Sequence, residues 1–284
     1  MKQILTYLIV ALFAMQAMAY PKANIKVSYN YHHIGITVGG ESIKTHNYTY
    51  VLLANPTTSK FYSPQSEFLD SLHSTPSGRA LEMQLMQIGM QKYLETKDDS
   101  AIPRYKGQLY VYKSVVDSMT TVYDTYGIEQ AGKYSEPIAD IKWEIHDSIK
   151  NVLGYECHMA TADYHGRHWT VWFTPEIPIF DGPWKLCGLP GLILEAREEK
   201  GQYSFFATGI EQTDREITPV YSPERYDEIS RKEMLKEYRA YLLNGKEITN
   251  ALINDNPNGT VSKNNPVSEK THYEIDLIET DYRE

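Results

Sequence analysis

The chain has 284 residues and a formal net charge of −9 at pH 7, from 28 Lys and Arg against 37 Asp and Glu. An acidic chain without a basic block argues against nucleic-acid binding, because Lys and Arg contacts to phosphate supply most of that affinity. The same balance argues against adhesion to anionic lipid surfaces. The 23 tyrosines, with many Thr, Val and Ile residues, favour a strand-rich fold.

The first nineteen residues have the pattern of a secretory signal peptide. Lys2 provides the positive end, residues 4–14 are apolar, and residues 17–19 form an A-x-A cleavage site. The apolar run is shorter than the ~20 residues that a membrane-spanning helix needs. No cysteine follows it to carry a lipid anchor. We therefore expect residues 20–284 to be exported to the periplasm or secreted, as one domain without a membrane span.

Only two cysteines occur in the chain, Cys157 and Cys187. Export would place them in an oxidising compartment, where a disulfide between them is the expected state. The alternative is a pair of buried thiols. A redox pair is disfavoured because the C-x-x-C spacing is absent.

Alternating and β-branched segments predict an antiparallel meander. The predicted strands cover residues 24–38, 48–53, 59–62, 108–116, 120–124, 141–147, 155–164, 168–174, 192–198, 203–209 and 273–278. Residues 177–187 are interpreted as a further hairpin, with Asp181 and Gly182 as its turn.

Two helices are predicted among these strands. Thr75 is a suitable N-cap with Pro76 at the first helical position, and the helix runs to about residue 95. Its apolar and methionine residues suggest packing on a sheet. A second helix is expected after Ser222, ending before Gly245. The fold class is therefore α+β and mostly antiparallel β, with a curved sheet or half-barrel meander and two main covering helices.

One hexapeptide has a clear backbone interpretation: Gly188, Leu189, Pro190, Gly191, Leu192 and Ile193. Pro190 sets φ for the second position of a type II turn, and Gly191 supplies the positive φ of the third. We interpret the motif as a structural corner that leads into a strand. A phosphate-binding loop is disfavoured because no Lys-Ser/Thr pair follows.

The hexapeptide, the cysteine-containing residues 154–160 and the tryptophan-rich residues 166–185 together resemble the GLPGLI family, known from Bacteroidota. The resemblance extends over nearly all of residues 20–284, and residues 274–278 resemble the family's closing strand only loosely. It implies an exported protein whose activity is not established. It also suggests an outer-membrane or periplasmic protein as a partner.

An aromatic cluster is the best candidate for a binding surface. Trp169 and Trp172 lie on opposite faces of one predicted strand, with Trp184 and Phe206 in the segments that follow. These four residues either belong to a packed core or line an apolar cavity. On the second interpretation, the protein binds an apolar ligand, a lipid or a polypeptide without catalysis.

Two other functions have weaker support. Asp163, Glu176 and Glu195 would have to converge in space for an envelope hydrolase, and no nucleophile or metalloprotease motif is present. His158, His165 and His168 with nearby methionines suggest a metal-binding protein, although a methionine stripe such as Met83, Met86 and Met90 is more often core filler. We predict no catalytic residue, metal ligand or cofactor.

Overall fold

The computed structural model describes residues 20–35, 44–254 and 277–283, which form three helices and a twelve-stranded sheet. The helices are α1 (Pro64–His73), α2 (Pro76–Thr96) and α3 (Arg231–Asn254). The strands are β1 (Ile25–Gly35), β2 (Lys44–Ala54), β3 (Thr58–Tyr62), β4 (Tyr110–Ser114), β5 (Met119–Gly127), β6 (Gln130–Pro137), β7 (Glu144–Val152), β8 (Tyr155–Tyr164), β9 (Arg167–Thr174), β10 (Leu192–Glu198), β11 (Tyr203–Gln212) and β12 (Asp227–Glu228).

The sheet consists of two meanders joined by their first and last strands. The strand order is β12-β6-β5-β4-β3-β2-β1-β11-β10-β9-β8-β7, and every pair is antiparallel except β12 with β6. The join is the pairing of β1 with β11. The sheet is curved and open, since β12 and β7 lie at opposite edges. The predicted fold class is confirmed.

The sheet buries apolar side chains on both faces. We call the face that carries the main core the inner face; it includes Val27, Leu52, Val111, Val171 and Phe205. On the outer face of β2 to β6, a second cluster packs against the segment after β11, through Ile217, Val220 and Tyr226. Part of the sheet is therefore buried on both faces.

Residues 175–191, which we call the core loop, do not form the predicted hairpin. The loop is irregular and its apolar side chains Ile179, Trp184, Leu186 and Leu189 belong to the main core. Asp181 is buried rather than exposed at a turn, and it forms an ion pair with Lys113 of β4. The interpretation of Asp181 and Gly182 as a hairpin turn is wrong, because the Asp181 carboxylate forms an ion pair with a buried lysine of another strand.

The hexapeptide forms the last corner of the core loop. The Gly191 amide donates to the Leu189 carbonyl at 2.8 Å, and the Leu192 amide donates to Ile177 at 3.1 Å. The corner is therefore tighter than the type II turn we expected, because the bond spans three residues rather than four. Leu192 and Ile193 then enter β10 fully buried. Ile193 accepts a hydrogen bond from the Tyr29 hydroxyl of β1 at 2.6 Å.

The helix boundaries differ in part from the predicted ones. The Thr75 hydroxyl caps α2 by accepting from the Gly78 amide, as predicted. Pro223–Arg225 is only a 3-10 turn, and α3 begins at Arg231, where Ser230 accepts from the Glu233 amide. Gly245 lies within α3 rather than after it. Helix α1 and strands β6 and β12 were not predicted. Residues 273–276 of the predicted last strand lie outside the described residues, as do residues 1–19.

The predicted disulfide is absent, since Cys157 and Cys187 are both free and buried. Cys157 lies on β8 and faces the core, whereas Cys187 belongs to the core loop. Burial raises the pKa of each thiol to about 11. Both cysteines are therefore thiols that fill core space, which is the alternative the sequence left open.

The hexapeptide corner gives a test of the fold. A Cβ at Gly191 would clash with the carbonyl oxygen of Thr174, and the backbone there has a φ of +155°. We expect Gly191→Ala to lower the free energy of unfolding by about 2–4 kcal/mol. Gly209→Ala is the control, because nothing lies within 4 Å of its added Cβ. Urea denaturation of both variants checks this, and equal stabilities would contradict it.

Candidate functional site

The structure separates the four aromatic residues of the predicted ligand site. Trp169 and Trp184 are fully buried in the main core, with ring centroids 5.6 Å apart. Trp172 and Phe206 are only partly buried. Lys150 lies 4.4 Å from the Trp172 ring, and Arg197 lies 5.5 Å from the Phe206 ring. A cation therefore covers each of these two rings, although Trp172 also packs against the main core.

The carboxylates of the hydrolase hypothesis lie apart. Asp163 pairs with His168 at one end of β8, and Glu195 pairs with Lys150. Glu176 accepts from the Glu156 amide at the other end of β8, seven residues or roughly 23 Å from Asp163. This arrangement does not provide the carboxylate pair that glycoside hydrolysis needs.

A buried group of charges surrounds Lys185 of the core loop. The Lys185 ammonium is 1% exposed and lies 2.7 Å from Glu136 of β6 and 2.8 Å from Glu279. Arg231, the first residue of α3, pairs with Glu279 at 2.6 Å and with Asp281 at 2.8 Å. This charge network therefore joins the core loop, β6, α3 and the segment 277–283.

His165 completes the charge network from the turn between β8 and β9. Its Nδ1 lies 3.0 Å from Asp281, and its Nε2 lies 3.8 Å from Glu136. Burial alone would raise the pKa of Glu136, but hydrogen bonds and charge from His165 and Lys185 lower it to about 2. Arg231 and His165 likewise outweigh burial and lower the pKa of Asp281 to about 2.

Three members of the charge network could in principle hold a metal ion. Ligand atoms of His165, Glu279 and Asp281 lie within 4.8 Å of one another. However, Lys185 and Arg231 already neutralise the two carboxylates, so a cation would have to displace an existing one. His158 packs on Phe173 instead, and His168 pairs with Asp163. The donor set fits an ion-pair network better than a metal centre.

A groove opens between the ends of β1 and β11 and the start of the core loop. Its volume is about 970 Å³, large enough for a small molecule. Its apolar lining residues are Ile25, Pro56, Tyr155, Ile177, Pro178, Ile179 and Ile210, and its polar ones are Asn24, Glu176, Glu211, Gln212, Thr213 and Asp214. We call it the rim groove. None of the four predicted aromatic residues lines it.

Helix α2 contacts the rest of the protein through two glycines. A Cβ at Gly78 would clash with the Leu72 backbone of α1, and one at Gly89 would lie 2.6 Å from the Ala101 carbonyl. Gly89 is the only buried residue of this helix. The backbone of α2 therefore lies directly against its neighbours at both glycines, and most of its large apolar side chains project away from them.

Seven large apolar side chains of α2 are exposed. Leu81, Met83, Met86, Ile88, Met90, Tyr93 and Leu94 are all exposed, with Met83 at 66% and Leu94 at 64%. Among the described residues, α2 packs on α1 rather than on the sheet. The predicted packing of α2 on the sheet is therefore wrong, as is the interpretation of its methionines as core filler. Contiguous exposed apolar side chains typically mark a binding surface.

One protein family matches a short part of the chain. Residues 164–195 match the family described as "Protein of unknown function (Porph_ging)". This segment includes His165, β9, the core loop and the hexapeptide. No curated protein matches the chain.

Two solved structures are similar to the chain in fold. Both are structures of PNGF-II, one in space group C2 and one in P21, each with a TM-score of 0.46 and 12% sequence identity. The similarity covers 76% of this chain and 33% and 34% of those chains, so this chain spans about a third of their length.

The charge network gives a test of what holds the inner face together. Replacing Lys185 by Met would leave Glu136 and Glu279 without their shared buried cation. We expect the free energy of unfolding to fall by about 3–5 kcal/mol. Lys142→Met is the control, since Lys142 and its partner Asp140 are both exposed. Thermal and urea denaturation measure the difference, and a Lys185→Met variant as stable as the control would contradict the role of the network.

Proposed function

We propose that the protein is an exported cell-envelope protein that binds a partner polypeptide without catalysing a reaction. The observation that carries this proposal is the set of exposed apolar side chains on α2. A helix held by glycine contacts keeps its shape without burying its side chains, so those side chains remain free to contact a partner. Methionines suit such a surface because they adapt to differently shaped partners.

A polypeptide is a better partner than a bilayer. Helices that lie on membranes carry Lys and Arg along their polar side. Helix α2 has only two cations, Arg79 and Lys92, and the carboxylates of Glu82 and Glu95 balance their charge. Residues 83–91 contain no charge at all. In addition, no helix in the described residues is long and apolar enough to cross a membrane.

The distribution of side chains around α2 suggests the shape of the partner. At 100° per residue, Met83, Met86 and Met90 form one stripe and Leu81 and Ile88 lie on nearly the opposite side. Both stripes are exposed. A single flat contact would cover only one of them. The exposed glutamines Gln84, Gln87 and Gln91 lie between the two stripes, so the partner contacts the methionine stripe in an apolar groove and leaves the glutamines in solvent.

Location, family and domain organisation belong to the same proposal. Removal of residues 1–19 would deliver the chain to the periplasm or the medium. Residues 20–284 would then form a single domain of the GLPGLI family. What supports the family part of this proposal is the match over residues 164–195, the segment that contains the hexapeptide.

The rim groove favours a second candidate function, the binding of a small apolar ligand. Ile25, Ile177 and Ile210 are partly exposed at its walls. Their side chains give an apolar molecule a surface on which to exclude water.

We expect a pair of substitutions on α2 to abolish partner binding. Met83→Lys with Met86→Lys places two charges within the apolar stripe. Gln84→Lys with Gln87→Lys adds the same charges at the same spacing on exposed polar positions. In living cells, a photoreactive residue at position 90 should crosslink to a protein. The yield of this crosslink should fall at least tenfold in the variant with Met83→Lys and Met86→Lys.

The glutamine pair should crosslink as the unchanged chain does. The crosslinked peptide identifies the partner by mass, which distinguishes a second copy of this chain or a lipid from a different protein. Crosslinks only to lipid, only to another copy, or equally in both variants would contradict the proposal.

Native mass spectrometry tests the second candidate. We expect protein purified from its own cell envelope to carry an apolar ligand that organic extraction removes. Ile177→Asp should lose that ligand, because it places a charge in the wall of the rim groove. Phe180→Asp is the control, as Phe180 is 63% exposed and does not line the groove. A bare polypeptide mass would exclude a retained ligand.

A further inference from the structure

A cleft opens on the outer face of the sheet, where the first three strands lie side by side. Ser28 of β1 pairs with Val51 of β2, and Val51 pairs with Tyr62 of β3, so these three residues form a row across the sheet. Lys26 and Thr49 lie two positions along their strands from this row and project from the same face. All five residues line the cleft, whose volume of about 440 Å³ is large enough for a small molecule.

Helix α1 and the segment after β11 provide the walls of this cleft. The lining residues of α1 are three or four positions apart and share one side of the helix: Pro64, Glu67, Phe68 and Ser71. Arg215 and Tyr221 complete the lining. Phe68 is 49% exposed and Tyr221 is 39% exposed, so both rings present apolar surface to a bound molecule. We call the space that these eleven residues line the outer cleft.

Two of the three charged side chains in the outer cleft already have a partner. Glu67 forms an ion pair with Lys60, whose side chain is 1% exposed. The Lys26 ammonium lies 2.5 Å from the carboxylate of Glu211 on β11. Each of these pairs is neutral overall, so neither leaves a charge for a ligand to compensate.

Arg215 is the third charged residue of the outer cleft, and it is exposed. Among the residues that the structure describes, no carboxylate forms an ion pair with its guanidinium. The outer cleft therefore retains one net positive charge, which favours a ligand with one negative charge. A second negative charge on the ligand would find no unpaired cation among the described lining residues.

Hydroxyl groups supply the other polar atoms of the lining, from Ser28, Thr49, Tyr62, Ser71 and Tyr221. The Ser71 hydroxyl already donates to the Phe68 carbonyl at 2.6 Å. Tyr62 is 1% exposed and nevertheless lines the cleft, at the end of the row on the sheet. Burial and, after it, the charge of Glu67 raise the pKa of Tyr62, so its hydroxyl stays neutral and able to donate. Hydroxyl donors of this kind suit the oxygen atoms of a carboxylate.

We propose that the outer cleft binds a monocarboxylate with an apolar body, with Arg215 as the counter-ion and Phe68 and Tyr221 as the apolar wall. A guanidinium donates two parallel hydrogen bonds to one carboxylate, which an ammonium group does not. The carboxylate belongs either to a free organic acid or to the C-terminus of a peptide. The outer cleft shares no residue with α2 or with the rim groove, so this proposal does not depend on the proposed function.

Calorimetric titration of the purified protein with 3-phenylpropionate tests the proposal, because this probe joins one carboxylate to one apolar ring. We expect 3-phenylpropionamide, its neutral analogue, to bind at least tenfold more weakly, since it has no charge to pair with the guanidinium. N-acetylphenylalanine in a parallel titration distinguishes the two sources. Tighter binding of N-acetylphenylalanine than of 3-phenylpropionate indicates a peptide C-terminus, and weaker binding indicates a free acid.

Substitutions of Arg215 test the counter-ion. Arg215→Gln should bind 3-phenylpropionate at least tenfold more weakly than the unchanged chain does. Arg215→Lys keeps the charge without the two parallel hydrogen bonds, so its affinity should lie between the two. Arg104→Gln is the control, because Arg104 is exposed, pairs with Asp99 and does not line the outer cleft. Arg215 is exposed, so urea denaturation should show all three variants to be as stable as the unchanged chain.

A substitution of Phe68 separates the apolar wall from the counter-ion. Phe68→Ala removes apolar surface from the cleft, so it should weaken the binding of the acid and of the amide by the same factor. Arg215→Gln, in contrast, should weaken only the binding of the acid. No measurable binding of 3-phenylpropionate, equal affinities for the acid and the amide, or unchanged binding of the acid in Arg215→Gln would overturn the proposal.

Discussion

The ammonium group of Lys185 is the constraint on which the rest of the molecule depends. A buried cation must be compensated, and its two carboxylates come from β6 and from the segment 277–283. Meeting that requirement brings the core loop against the inner face and draws the start of α3 to the same place through Arg231. Four distant parts of the chain are thus positioned by one set of charges, and the hydrophobic core forms around them.

This arrangement separates the rigid part of the protein from its candidate binding surfaces. The charge network and the buried tryptophans occupy one half of the inner face. Helix α2, by contrast, packs on α1 rather than on the sheet. A partner on α2 would therefore contact a surface that is distinct from the charge network.

Much of the sheet could be predicted from the sequence, because the alternation of apolar and polar residues and the positions of turn residues depend on short stretches of sequence. Strand β8 and the start of α2 match their predicted positions. The core loop could not be predicted, since Asp181 and Gly182 resemble a turn locally and Lys113 reaches Asp181 from 68 residues away. The apolar pattern of α2 does not reveal whether its partner lies in the same chain. Gly78 and Gly89, on one side of the helix, were a signal that this side packs closely against its neighbours.

The pairing of β1 with β11 has a consequence for how the protein folds. Ser28 and Thr208 meet across this pair although they are 180 residues apart in sequence. Each meander is built from neighbouring strands and can assemble early, whereas their junction requires closure of a very long loop. The join is therefore expected to form late, and until then the edges of β1 and β11 present unpaired backbone. A cell that makes this protein needs to shield those edges during that interval.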